Sequence, residues 1–195
     1  TTLKCNSNHL SSLNLSSNNN LENLYCQDNR LASLNLSALN NLRHLECNGN
    51  NLITLSVSNS PHLNYLECRS NQLSSLSVGN NSKIETLFCP YNTINSLNLT
   101  GLDSLRYLDC QGNGMTTLNV STNPDLLELQ CGNNNLSQIN LSNNLNLDFV
   151  HIDRNPNITF LDLSSNVNLT RVSFQASSSD GSQLSCVDLR NGNNS

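Results

Sequence analysis

The sequence predicts a solenoid, with short strands and turns wound into stacked coils, mainly β and with little or no helix. Three observations predict it. Cysteine recurs at Cys5, Cys26, Cys47, Cys68, Cys89, Cys110 and Cys131, always 21 residues apart, with Ile152 at the next step. Asparagine keeps the same period three residues later, at Asn8, Asn29, Asn50, Asn71, Asn92, Asn113, Asn134 and Asn155. Around both columns runs one spacing of apolar residues with the same 21-residue step. A fixed period of this length marks units that bury their apolar faces only against one another.

The first unit runs from Thr1 to Asn20 and lacks its start. Full 21-residue units then begin at Leu21, Leu42, Leu63, Ile84, Leu105 and Leu126. The unit from Leu147 to Asn168 has one extra residue, absorbed at Pro156-Asn157-Ile158. Residues 1–168 thus form an array of eight units. In the second unit Leu21, Leu24 and Cys26 make one apolar triplet, and Leu31, Leu34 and Leu36 make another. The alternation in Leu24-x-Cys26 and Leu34-x-Leu36 is strand-like, and the Asn, Ser and Gly between them favour turns. Each coil is therefore a short strand, a turn, a second extended segment on the opposite face, and a turn back. Fully burying an inward side chain is worth roughly 1.5–3 kcal/mol, and only neighbouring coils supply that burial. Residues 169–195 read as a degenerate ninth repeat or a C-terminal cap. Leu169, Val172 and Phe174, then Leu184, Val187 and Leu189, match the two triplets, but a loop over 175–183 is inserted and the ladder asparagine is missing. Phe174, larger than cysteine, is expected to help close the core.

The constant columns read as architecture. Neighbouring rungs about 4.8 Å apart hold the cysteines on parallel Cα–Cβ vectors, a poor geometry for disulfides. No CxxC or Cys–His spacing suggests a metal. The seven are read as buried thiols, and Cys186 stands outside the ladder. An inward asparagine carboxamide at Asn29, Asn50, Asn71, Asn92, Asn113 or Asn134 both donates and accepts, which suits a strand leaving a sheet. Stacked copies are also placed to bond one another. At the second turn Ser16, Ser37, Ser58, Thr100, Ser121, Ser142 and Ser164 offer hydroxyls to the local backbone.

The pattern LxxLxCxxN followed by LxxLxLS resembles a leucine-rich repeat, in particular the short 21-residue bacterial class with cysteine in its first half, the IRREKO type. The resemblance covers Thr1 to about Asn168. It implies a right-handed solenoid with parallel strands lining one face, a binding role usually toward protein, no enzymatic activity and no cofactor. It also implies a secreted or cell-surface protein.

A formal net charge of -5 argues against nucleic acid, which requires a basic footprint. No apolar run is long enough for membrane insertion, and no signal peptide is present. The chain opens inside a repeat, so it reads as a monomeric piece of a larger multidomain precursor.

Function must then lie in the positions that vary. One outward column of the first strand runs Lys4, Tyr25, Glu46, Glu67, Phe88, Asp109, Gln130, His151. Two places earlier come Thr2, Asn23, His44, Tyr65, Thr86, Tyr107, Glu128 and Phe149. Six of the eight aromatic residues fall on this face or its exit, namely Tyr25, Tyr65, Phe88, Tyr91, Tyr107 and Phe149. Glu46, Glu67, Arg69 and Asp109 lie among them. Exposed rings beside charges are typical of interaction surfaces, and the second segment shows no such enrichment. Tyrosine with carboxylates can grip a protein as anchor and rim, or stack on a sugar and accept its hydroxyl bonds. A protein partner is the first expectation, a polysaccharide the second, and a spacer role the third.

Catalysis finds little support. Glu46 and Glu67 stand on adjacent rungs about 5 Å apart, near the carboxylate spacing of a retaining glycosidase, but any two acids in one column acquire such a spacing. Arg43 and Arg69 are near enough to be plain ion-pair partners. His9, His44, His62 and His151 lie in different columns and suggest neither metal site nor relay. Calcium on Glu46, Glu67 or Asp180 is the one metal alternative the acids leave open, and no metal is assigned.

Overall fold

The computed structural model describes residues 1–79, 81–175 and 184–189. Each alternating apolar triplet of the first half becomes a three-residue strand, because alternate side chains must point inward while the backbone pairs with the next coil. In chain order the strands are β1 (Thr2–Lys4), β2 (Asn23–Tyr25), β3 (His44–Glu46), β4 (Thr54–Ser56), β5 (Tyr65–Glu67), β6 (Ser75–Ser77) and β7 (Thr86–Phe88). They continue with β8 (Tyr107–Asp109), β9 (Glu128–Gln130), β10 (Phe149–His151), β11 (Phe160–Asp162), β12 (Arg171–Ser173) and β13 (Cys186–Asp188). The described residues contain no helix.

One nine-stranded parallel sheet runs β1-β2-β3-β5-β7-β8-β9-β10-β12 along the molecule. Its register is the sequence period made physical, as Leu3 pairs with Leu24, Leu24 with Leu45, and Leu45 with Leu66. The step from Val150 to Val172 absorbs the extra residue without shifting any side chain to the wrong face. On the opposite wall only two short sheets form among the described residues, β4 with β6 and β11 with β13.

Why the second wall pairs in some coils and not others is visible in one column. Where asparagine stands two residues before the turn serine or threonine, its Oδ1 accepts that residue's N–H. Examples are Asn35 with Ser37 at 3.0 Å, Asn98 with Thr100 at 3.0 Å and Asn119 with Ser121 at 3.0 Å. Such local bonding competes with a ladder. Coils three and four carry Ser56 and Ser77 there instead, and their second segments pair as β4 and β6. Coil eight is an exception, since Asp162 accepts the Ser164 N–H at 2.9 Å and β11 still pairs with β13. The local bond therefore comes from the backbone N–H of the serine column, not from its hydroxyl as the sequence suggested.

The interior is filled as the period demands. In the third coil Leu42, Leu45, Cys47, Leu52, Leu55 and Val57 are at most 3 % exposed. The cysteines are free thiols, buried from Cys26 to Cys131, half-buried at Cys5 and exposed at Cys186. Burial drives the thiol pKa of Cys26, Cys89 and Cys131 up to about 12.

From Asn29 onward each ladder asparagine ties two coils together, whereas the Asn8 carboxamide bonds within its own coil. Asn50 Nδ2 donates to Cys26 O at 3.0 Å and Cys47 O at 3.1 Å, while its Oδ1 accepts Leu31 N at 2.9 Å. The same set recurs at Asn29, Asn92 and Asn134. The carboxamides bond backbone and not one another, because the rung backbone already presents both an orphan carbonyl and an orphan N–H.

A second polar column escaped the sequence reading. Ser60, Asn81, Asn123, Asn144 and Asn166 occupy one buried position at the far turn, with Leu39 and Leu102 interspersed in it. Asn144 Nδ2 donates to Val120 O at 3.0 Å and Asn123 O at 2.8 Å. The period is the same, but the leucines break the run of asparagine and hide it.

The ninth unit supplies β12 to the main sheet and β13 to the second wall, with Phe160 paired to Cys186. Phe174 is 43 % exposed and does not close the core. Of the expected inserted loop, residues 176–183 lie outside the described residues.

Candidate binding face

Side chains from three outward columns of the main sheet form the face, and parallel register brings equivalent positions beside each other. Tyr25, His44, Tyr65 and Phe88 make a run of rings that crosses between columns. Tyr25 meets His44 at 4.9 Å, His44 stacks on Tyr65 at 4.3 Å with planes 6° apart, and Tyr65 meets Phe88 edge-on at 6.0 Å. Lys4 Nζ lies over the Tyr25 ring at 5.3 Å and extends the run toward the first coil. Tyr65 is the next residue in the column of His44, whereas Tyr25 stands in the other column, so only one of its two ring contacts can be read within a column.

The charges are bound into this run. His44 Nε2 lies 2.9 Å from Glu46 Oε1, and Gln27 Nε2 donates to Glu46 Oε2 at 3.1 Å. Tyr65 Oη donates to Glu67 Oε2 at 3.0 Å, and Arg69 Nε meets Glu67 Oε1 at 2.7 Å. Burial first, and then the bond to Glu67, raise the Tyr65 phenol pKa. Arg43, expected beside these acids, forms no ion pair with a described residue. Glu46 and Glu67 are thus each committed to local partners, and neither is held as an unsatisfied acid.

Asp109 differs. Its Oδ1 accepts Gln111 N at 3.1 Å and its Oδ2 accepts Gln111 Nε2 at 3.2 Å, both neutral donors. Burial raises its carboxyl pKa, against the opposing pull of the Gln111 bonds.

The remaining expected residues sit apart from the run. Tyr107 pairs with no ring among the described residues, and Arg106 Cζ lies 6.0 Å from its centroid. Tyr91 is 55 % exposed and adopts φ 55, a left-handed conformation unusual for a bulky residue. The same column is left-handed in other coils, from Ser7 and Asp28 to Gly49, Gly112 and Arg154. Tyr91 leans its ring on Gly112 of the next coil, where a Cβ would meet Tyr91 Cδ1 at 2.6 Å. Phe149 belongs to a second cluster, with His151 at 6.5 Å and Arg171 over its ring at 4.5 Å. There Ser173 Oγ donates to Asp153 at 2.9 Å and His151 Nε2 lies 3.2 Å from the same carboxylate. The hydroxyl donates to the carboxylate and not to the imidazole, so the three groups do not form a serine–histidine relay.

The opposite wall carries one exposed ring among the described residues, Phe160, 51 % exposed on β11. Among the described residues no cluster of three or more His, Cys, Asp or Glu is placed to hold a metal ion. Asp180, named as a calcium candidate, lies outside them. No helix among them is long and apolar enough to cross a membrane.

No family model and no curated protein matches the sequence. Solved structures do. A leucine-rich-repeat protein of Leptospira interrogans aligns over 89 % of this chain and 48 % of its own, with TM-score 0.83 and 24 % identity. The functional domain of InlJ from Listeria monocytogenes, described as including a cysteine ladder, is 27 % identical over 94 % of this chain and 49 % of its own, with TM-score 0.58. The chain is a leucine-rich-repeat solenoid. YopM, a leucine-rich effector protein from Yersinia pestis, aligns over 89 % of this chain and 48 % of its own, with TM-score 0.75 and 25 % identity. This leucine-rich-repeat chain spans about half the length of each of these three structures.

Proposed function

We propose that this leucine-rich-repeat chain is a non-catalytic interaction module that binds a protein partner through its main-sheet face, centred on Tyr65, Phe88, Tyr91 and Tyr107. The observation that carries the reading is the stacking of the rings. His44 and Tyr65 lie face to face along the sheet, so each spends one face on the other, and Tyr25 crowds His44 from the opposite rung. A sugar needs open ring faces for its C–H groups, whereas a protein surface packs against edges and accepts them as part of a broad contact. Polysaccharide binding is therefore the second reading. The satisfied carboxylates favour the same choice, since Glu46 and Glu67 have their acceptor capacity largely occupied.

The likeness to the functional domain of InlJ and to the effector YopM supports an interaction role. A secreted or cell-surface location belongs to the same proposal and rests on the sequence resemblance. The test offers the protein a glycan array and a displayed library of folded protein domains in parallel. The expected result is saturable binding to protein ligands and none to glycans. Binding to glycans alone would overturn the reading.

A further inference from the structure

One column of the sheet face loses its ring between two tyrosines. In the column that carries His44, Tyr65 and Tyr107, the fifth coil carries Thr86. Thr86 pairs with Tyr65 on one side and Tyr107 on the other, so the two tyrosines flank it across two rungs, roughly 10 Å. A cation is held within about 6 Å of a ring centroid, so a group centred over Thr86 reaches both. Phe88 stands beside the gap and meets Tyr65 at 79°, which gives the gap a corner of two crossed rings.

Two carboxylates bracket Phe88, since Glu67 and Asp109 are its pairing neighbours. Glu67 is already neutralised by Arg69. Asp109 has the neutral donors of Gln111 and no cationic partner within ion-pair distance among the described residues, with His151 and Arg69 acting on it only from farther away. Burial disfavours its charged form, a penalty that a cation beside it relieves.

We propose that the gap over Thr86 is a slot for one arginine or lysine side chain of the protein partner, with Tyr65, Phe88 and Tyr107 around the charge and Asp109 balancing it. The proposal rests on the protein-binding reading of this face and adds the chemistry of the anchor. Arg106 makes a long version of the same contact with Tyr107 at 6.0 Å, so an incoming cation competes with it.

The probes are N-acetyl-arginine amide and its neutral counterpart N-acetyl-norleucine amide, titrated into the whole chain and read on the ring resonances of Tyr65 and Tyr107. The arginine amide should give saturable shifts and the norleucine amide none. Asp109→Asn should weaken binding about tenfold, the scale of one partly desolvated charge pair. Thr86→Phe should abolish it by filling the gap, with an unchanged melting temperature because the column already carries His44, Tyr65 and Tyr107. Arg106→Gln should strengthen it. Equal shifts from both amides, or undiminished binding to the Thr86→Phe chain, would overturn the slot. If the slot fails while protein ligands are still lost from the Phe88→Ala/Tyr107→Ala chain, the face stands without it. If protein ligands survive that double substitution, the broader reading fails even where the arginine amide binds.

Discussion

Asparagine and cysteine occupy equally regular columns, yet they hold the coils together by different means. Cys47 contributes volume in a slot where Ile152 also fits, so its replacement loses packing alone. Asn50 satisfies two carbonyls and one N–H from two coils at a position 6 % exposed. Asn50→Leu should therefore cost about 2–4 kcal/mol, because buried partners are left unpaired, and Cys47→Ala about 1 kcal/mol. Urea unfolding of the two variants measures the difference, and equal losses would contradict the division between bonding and packing. The left-handed column adds a residue-scale observation. Tyr91 stands where glycine is the easier choice, and its ring is seated on a neighbour, Gly112, that has no side chain to obstruct it. An exposed ring kept in an unfavourable backbone conformation suits a surface selected for contact.

At the scale of elements, the stacked strands place six thiols in a dry row. Below pH 9 these thiols are neutral in folded and unfolded chains alike. Above it the unfolded chain ionises near the ordinary thiol value of 9.0, while Cys26, Cys89 and Cys131 hold their protons to about 12. The folded state then binds more protons, so stability present below pH 9 is lost as pH rises, by up to about 1.4 kcal/mol per thiol per pH unit. Thermal melts should be level from about pH 6 to 8 and fall steeply from about pH 9 upward. A thiol reagent at neutral pH should label Cys186 readily and Cys5 slowly, leaving the other six until the chain unfolds. Labelling of the six in the native protein would contradict the burial. Most of this element-scale order was legible in the period, because inward positions must repeat for coils to stack. The second wall was less legible, since Ser56 and Ser77 pair where asparagine bonds locally, yet β11 pairs although Asp162 makes the same local bond. The far-turn polar column stayed hidden because Leu39 and Leu102 interrupt it.

For the whole molecule, the period sorts side chains into a packed interior and two walls of unlike character. Which wall carries the rings could be read from the columns, and Tyr65 does contact Glu67 and Phe88, with Arg69 on the same carboxylate. What a column does not reveal is contact with its neighbouring column. The run from Tyr25 through His44 to Tyr65 and Phe88 changes column twice, which hides the place of His44 in it, while Phe149 belongs to a separate cluster with Arg171. Phe160 also leaves the second wall with an apolar point of its own, on the strand beside the exposed Cys186. That makes comparison of the two walls the most direct test of binding through the main sheet. The affinity of a protein ligand is measured for the native chain, for Phe88→Ala/Tyr107→Ala on the main sheet, and for Ile53→Ala/Phe160→Ala on the opposite side, Ile53 being 56 % exposed just before β4. The expected result is a loss of more than about tenfold for the first pair, as for ring anchors at an interface, and no change for the second. Unchanged affinity for the first pair, or loss confined to the second, would contradict it.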